Sequence, residues 1–147
     1  MILLDAYALT ALLANEPAAS EVEQLLSRTG TAIAAPNLAE AADRLARVHG
    51  IAVQRTRSAV ESLEQALDLG IRPAERDHAW RAAELRAKHY HRTRCPLSLG
   101  DCLLLAMTGD RDRLATADPH VLATAAAEGI DRIVLADSRG RRYAPPG

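Results

Sequence analysis

Short apolar runs alternate along this chain with longer stretches in which apolar residues recur every three or four positions. The first run, Ile2-Leu3-Leu4, reads as a buried strand ending at Asp5. Ala6–Ala14 is built almost wholly of helix formers until Asn15-Glu16-Pro17 breaks it; Ser20–Leu26 resumes as a helix with Val22, Leu25 and Leu26 on one face. Thr31–Ala35 predicts a second strand, closed by Pro36-Asn37. The next helix is expected to begin at Asn37 as N-cap, with Glu40 three residues on in a capping-box-like pair, and to stop at Gly50. A long helix over about Ala52–Leu69 carries Val53, Val60, Leu63 and Leu67 at helical spacing. Ile71-Arg72 is a candidate strand, and Pro73 to about Tyr90 a further helix.

Past a basic connection at His89–Pro96, the signals sharpen. Ser98 is a good N-cap, Asp101 stands three residues later, and the apolar run Cys102–Met107 follows. Arg113–Thr116 predicts a short strand, and Asp118-Pro119 opens another helix in the favoured order of cap then proline. Gly129 ends that helix, and Asp131–Leu135 reads as the last strand. Short apolar strands alternating with helices imply an α/β fold, its short parallel sheet flanked by helices on both faces. Right-handed crossovers put the C-terminal ends of all strands on one edge, where ligands bind in open sheets. One domain over residues 1–137 is expected, with a loosely ordered basic and proline-rich tail at 138–147.

Composition narrows this only slightly. Hydrophobic residues make up 48% and charged residues 25%, ordinary for a globular protein. The longest apolar runs fall well short of the ~20 residues of a membrane helix, and a cytoplasmic location is expected. Cys95 and Cys102 are too few for a disulfide framework and read as reduced thiols. A net charge of −1 gives no global sign of nucleic-acid binding, although 17 of the 18 basic residues are arginine.

Candidate chemistry comes from four acids that the predicted topology sends to one edge. Asp5 follows the first strand and Glu40 the second; Asp101 begins the helix after Ser98, and Asp118 follows Arg113–Thr116. Each can be explained as a helix cap. Together they repel one another, at a cost that a bound cation or a raised pKa relieves. An all-oxygen set suits Mg²⁺ or Mn²⁺, which can polarise a phosphoryl oxygen and activate water against a phosphodiester. Thr116, two residues before Asp118, is positioned to orient a water or a carboxylate, or simply to bond backbone.

Asp5 after an apolar strand, Asn37-Leu38-Ala39-Glu40, Leu97-Ser98-Leu99-Gly100-Asp101-Cys102 and Leu114-Ala115-Thr116-Ala117-Asp118 resemble the four acidic motifs of PIN-domain ribonucleases. The nearest likeness is to the VapC-type toxins of prokaryotic toxin–antitoxin pairs, and it covers nearly the whole chain. The resemblance implies a metal-dependent endoribonuclease neutralised by a cognate antitoxin, often as a homodimer. It gives Asp5, Glu40, Asp101 and Asp118 as catalytic acids, with Asp5, Asp101 and Asp118 as metal ligands. The family commonly has a small hydroxyl residue just after the first Asp; here Ala6 and Tyr7 stand there.

Other readings compete. His89, His91, Cys95 and Cys102 are zinc-ligand types without knuckle spacing. An aspartyl phosphatase would place a second Asp where Tyr7 stands. A catalytically silent PIN-like module that only binds a partner is the main non-enzymatic alternative. His89, His91, Arg92 and Arg94 read as a solvated basic loop or as an RNA-facing one, with Arg92 and Arg94 as the candidate RNA contacts, and the tail cluster Arg139, Arg141 and Arg142 reads the same two ways. The apolar faces at Leu9, Leu12, Leu13, Val22, Leu25 and Leu26 read as core or as a groove for an antitoxin segment.

Overall fold

The computed structural model describes residues 1–28 and 30–145; of the expected tail, Pro146 and Gly147 lie outside the described residues. The elements are β1 (Ile2–Leu4), α1 (Ala6–Leu13), α2 (Ala19–Leu26), β2 (Thr31–Ala34), α3 (Ala35–His49), α4 (Val53–Leu67) and β3 (Gly70–Arg72). They continue with α5 (Arg76–His89), α6 (Leu99–Met107), β4 (Arg113–Thr116), α7 (Pro119–Ala127) and β5 (Asp131–Val134). All strands are parallel, in the order β3-β2-β1-β4-β5. The chain therefore forms a single α/β domain with β1 at the centre.

Strand periodicity separates the two cores. Leu4, Ile33 and Ala115 face one side, where Leu9, Val22, Leu26, Val60 and Leu135 pack. Their neighbours Leu3, Ala32 and Leu114 face the other, against Leu85, Leu104, Leu105 and Val121. Leu9, Val22, Leu25 and Leu26 are thus core residues, with Leu12 and Leu13 packed at the margin. Several helices on each face cover strands too short to stand alone, which is why these runs are apolar without alternation.

Two helix starts differ from expectation. The third helix begins at Ala35, with Ala34 as an uncapped N-cap and Pro36 in its first turn. Asn37 is therefore a buried residue inside the helix rather than its cap. Proline is tolerated in a first turn because its missing N–H has no partner there anyway, so Pro36 starts this helix as readily as it ends a strand. The fifth helix begins at Arg76, three residues past Pro73; Glu75 is its N-cap, and the Glu75 amide donates to His78 Nδ1 at 3.0 Å.

Near the C-terminus, Asp137 gathers a tight turn. Its Oδ1 accepts from the Arg139 and Arg141 amides at 2.8 and 2.9 Å, and its Oδ2 from Arg141 Nε at 3.0 Å. Gly140, at φ +76°, supplies the left-handed residue the turn needs. Arg142 reaches back to the Val134 carbonyl at 2.6 Å and to Glu21 at 2.7 Å. Tyr7, on α1, donates its hydroxyl to the Ala136 carbonyl at 3.0 Å. Among the described residues no helix is long and apolar enough to cross a membrane.

Candidate active site

The four acids are carried by four different helices at the C-terminal edge of the sheet. Asp5 ends β1 and N-caps α1, its Oδ1 accepting from the Ala8 amide at 2.7 Å. Its other oxygen accepts from the Thr116 hydroxyl at the end of β4. Thr116 Oγ1 in turn accepts from the Asp118 amide at 3.0 Å. One buried hydroxyl therefore ties the first acid to the backbone of the last, across two neighbouring strands.

Asp101 and Asp118 are caps as well. Asp101 Oδ2 accepts from the Ser98 amide at 2.8 Å while Ser98 Oγ accepts from the Asp101 amide at 3.0 Å, a reciprocal box. Asp118 Oδ1 accepts from the His120 and Val121 amides at 2.7 and 3.0 Å. Each cap occupies one carboxylate oxygen. Among the described residues, Asp101 Oδ1 and Asp118 Oδ2 make no protein hydrogen bond, so capping and ligand binding are compatible roles for the same side chain. Glu40 is one turn into α3, and a Cβ built on Gly100 would lie 2.8 Å from its Oε2. The bare glycine in the first turn of α6 is what lets the Glu40 carboxylate lie there.

The electrostatics bind the four into one unit. Burial pushes the Asp5 carboxyl up to about 7, against the lowering effect of Thr116 and Ala8, and the charges of Asp101 and Asp118 raise it further. Desolvation also raises Glu40, with Asp101 and Asp118 adding to it and Arg44 opposing. Asp101 is raised by burial and by Asp118, against the Ser98 hydrogen bonds and the positive influence of His120. The charge of Arg44 thus acts on Glu40 and that of His120 on Asp101, and the sequence singled out neither. Arg44 was accessible as the i+4 partner of Glu40; His120 had no signal beyond its closeness to Asp118.

The donor set fits a hard divalent cation in kind: every donor is a carboxylate oxygen, and a cation would relieve the repulsion that burial intensifies. As the side chains stand, no three His, Cys, Asp or Glu groups among the described residues are close enough to hold an ion. The zinc-type residues are otherwise engaged: His89 Nε2 meets Glu128 at 2.5 Å, His91 Nδ1 accepts from the Arg94 amide at 3.2 Å, and Cys102 is buried in the core.

Among the described residues, Arg92 and Arg94 pair with none of the four acids. They sit on an exposed turn bridged by His91 and Cys95, and His89 anchors its base to Glu128 at the far end of α7. Asp118 is at the near end, about 15 Å away at 1.5 Å per helical residue. Arg141 and Arg142 are better placed: with Ala117, Pro119, Asp137 and Tyr143 they line a recess of about 250 Å³ against both neighbours of Asp118.

The chain belongs to the PIN domain family, matching it over residues 2–145; the family is one of nucleases that generally use divalent metal ions. Among solved structures it is similar to a toxin–antitoxin complex from Klebsiella pneumoniae, at 25% identity and a TM-score of 0.59, over 84% of this chain and 91% of that one. It shares its fold with FitAcB from Neisseria gonorrhoeae (21% identity, TM-score 0.62, over 90% of this chain and 96% of that one). The same holds for VapBC2 from Rickettsia felis, bound to a DNA fragment from its promoter (15% identity, TM-score 0.64, over 90% of this chain and 98% of that one). No curated protein matches the chain in sequence.

Proposed function

We propose that this protein is a metal-dependent endoribonuclease toxin that hydrolyses RNA phosphodiester bonds and is neutralised by a cognate antitoxin. The observation that carries the reading is Asp5: a buried carboxylate, repelled by Asp101 and Asp118 and lifted to about 7, is costly to keep unless a cation uses it. In this reading Asp5, Asp101 and Asp118 hold Mg²⁺ or Mn²⁺, and Glu40 holds or orients through water. The ion, when bound, supplies Lewis-acid polarisation of the phosphoryl oxygen and an acidified water. The chain's own groups do the rest. Thr116 fixes the Asp5 carboxylate, the Ser98–Asp101 box fixes the start of α6, and Gly100 leaves space for Glu40.

The antitoxin partner is supported by the toxin–antitoxin complex among the similar structures. An apolar groove of about 390 Å³ between α3 and α4, lined by Leu38, Ala42, Val53, Val60 and Ile71, suits an amphipathic segment of such a partner. A homodimer of the toxin, acting in the cytoplasm, completes the reading.

The test is metal-linked stability together with cleavage, on purified antitoxin-free protein. Mg²⁺ or Mn²⁺ should raise the melting temperature, Asp101→Asn should lose that response, and cutting of total RNA should stop in EDTA and in the mutant. An Asp101→Asn protein that cuts as fast as wild type would refute the site. Absence of both metal response and cutting would leave the partner-binding module, without catalysis, as the function.

A further inference from the structure

The recess beside Asp118 has a composition that the four acids do not account for. Its walls are the 117–119 turn, which carries Asp118, and the C-terminal turn with Asp137, Arg141, Arg142 and Tyr143. Arg142 is structural: it is held by the Val134 carbonyl and Glu21, and so fastens the turn to the end of β5. Asp137 is saturated by the two backbone amides and Arg141. Arg141 is different. Its Nε and Nη2 lie on Asp137, which fixes the guanidinium plane, while its side chain remains 67% exposed. A guanidinium offers five N–H donors in a rigid fork, so donors remain after this pair. Half-buried Tyr143 adds an aromatic wall.

We propose that this recess binds the nucleotide adjacent to the scissile phosphate of a single-stranded RNA, its phosphate on Arg141 and its base against Tyr143. This rests on the nuclease reading above and deepens it. An oriented guanidinium and an aromatic side chain together form the pair that grips single-stranded nucleic acid without reading its sequence. Position selects the occupant. Ala117 and Pro119, on either side of Asp118, line the recess, so it adjoins the turn that carries this acid. The segment 138–143 contains three arginines and no acid, which supplies locally the positive charge that a chain of net charge −1 lacks overall.

The experiment uses the full chain with Arg141→Gln, Tyr143→Ala or Tyr143→Phe. In an Asp101→Asn background, binding of a fluorescein-labelled mixed-sequence single-stranded RNA is followed by anisotropy across a salt series. Tyr143→Ala should weaken binding about five- to tenfold and Tyr143→Phe should restore it, because the π-face carries the contact. Arg141→Gln should reduce the slope of log affinity against log salt by about one. In the Asp101-containing enzyme the same variants should raise KM by more than they lower kcat. Melting temperatures close to wild type, expected for an exposed ion pair, separate a lost contact from a lost turn. Unchanged affinity and salt slope in both Tyr143→Ala and Arg141→Gln overturn the subsite, even if metal-dependent cutting is intact. RNA that is bound through Tyr143 and Arg141 but never cut upholds the subsite and overturns the nuclease. A chain that neither binds nor cuts RNA overturns both.

Discussion

Replacing Asp5 by asparagine should stabilise the metal-free protein, and by an amount that depends on pH. Its carboxyl rises from an ordinary 3.8 to about 7 in the fold. At roughly 1.4 kcal/mol per pH unit, that corresponds to about 4 kcal/mol against the ionised form. Between about pH 4 and 7 the folded protein keeps a proton there that the unfolded chain has released, so stability falls as pH rises through that window. Below it both states are protonated and nothing is lost; above it the whole cost is present. Asparagine does not titrate. Its carbonyl can still accept from the Ala8 amide, but its NH₂ must then face the Thr116 hydroxyl, a rearrangement costing about 1 kcal/mol. Asp5→Asn should therefore exceed wild type by about 3 kcal/mol at pH 8 and fall slightly below it near pH 4. Urea unfolding in EDTA at a series of pH values measures this, with both proteins analysed by linear extrapolation. Glu40 and Asp101 are raised too, so the difference between the two curves is the quantity to read. A difference that stayed constant from pH 4.5 to 8 would falsify the account of a buried, repelled carboxylate. Saturating Mg²⁺ should raise wild type at pH 8 and leave the mutant unmoved.

Two further substitutions probe how the acids are held. Thr116→Val keeps the shape but leaves the Asp118 amide and one Asp5 oxygen unpaired; unfolding should lose about 1–3 kcal/mol, and Thr116→Ser should recover most of it. A valine variant as stable as wild type would mean that the hydroxyl carries nothing. Gly100→Ala places a methyl 2.8 Å from Glu40 Oε2, so Glu40 must swing away. Helix propensity gains up to about 1 kcal/mol; the melting temperature should therefore hold or rise while RNA cutting falls, and full activity in this variant would remove Glu40 from the mechanism.

What the sequence revealed followed the strength of its local signals. Arg113–Thr116 and the caps at Ser98 and Asp118 have the observed bounds, because cap, proline and apolar run all point the same way there. The start of α3 was obscured by local chemistry: Asn37 has the identity of a cap, yet alanines that carry no capping signal begin the helix two residues earlier. Its buried Oδ1 finds no partner among the described residues, which no pattern of residue types foretells. Tyr7 is a similar case. Its hydroxyl partner is the Ala136 carbonyl, 129 positions away in the chain, so only the fold could show that the bulky residue after Asp5 braces the C-terminal turn. The four acids were legible as positions on an edge, and Thr116 as a hydroxyl that orients a carboxylate or bonds backbone; that it does both at once, joining Asp5 to the Asp118 amide, was not.

The central place of β1 has a consequence for a growing polypeptide. The first of the five strands in chain order is paired on one side by β2 and on the other by β4, and the hydroxyl that seats Asp5 belongs to Thr116. On the ribosome, Asp5 therefore waits through more than a hundred further residues before its partner exists. Under the proposed function, a chain that still lacks β4 has no Thr116 to seat Asp5, so nascent chains cut short before Thr116 carry the first acid without the hydroxyl that positions it.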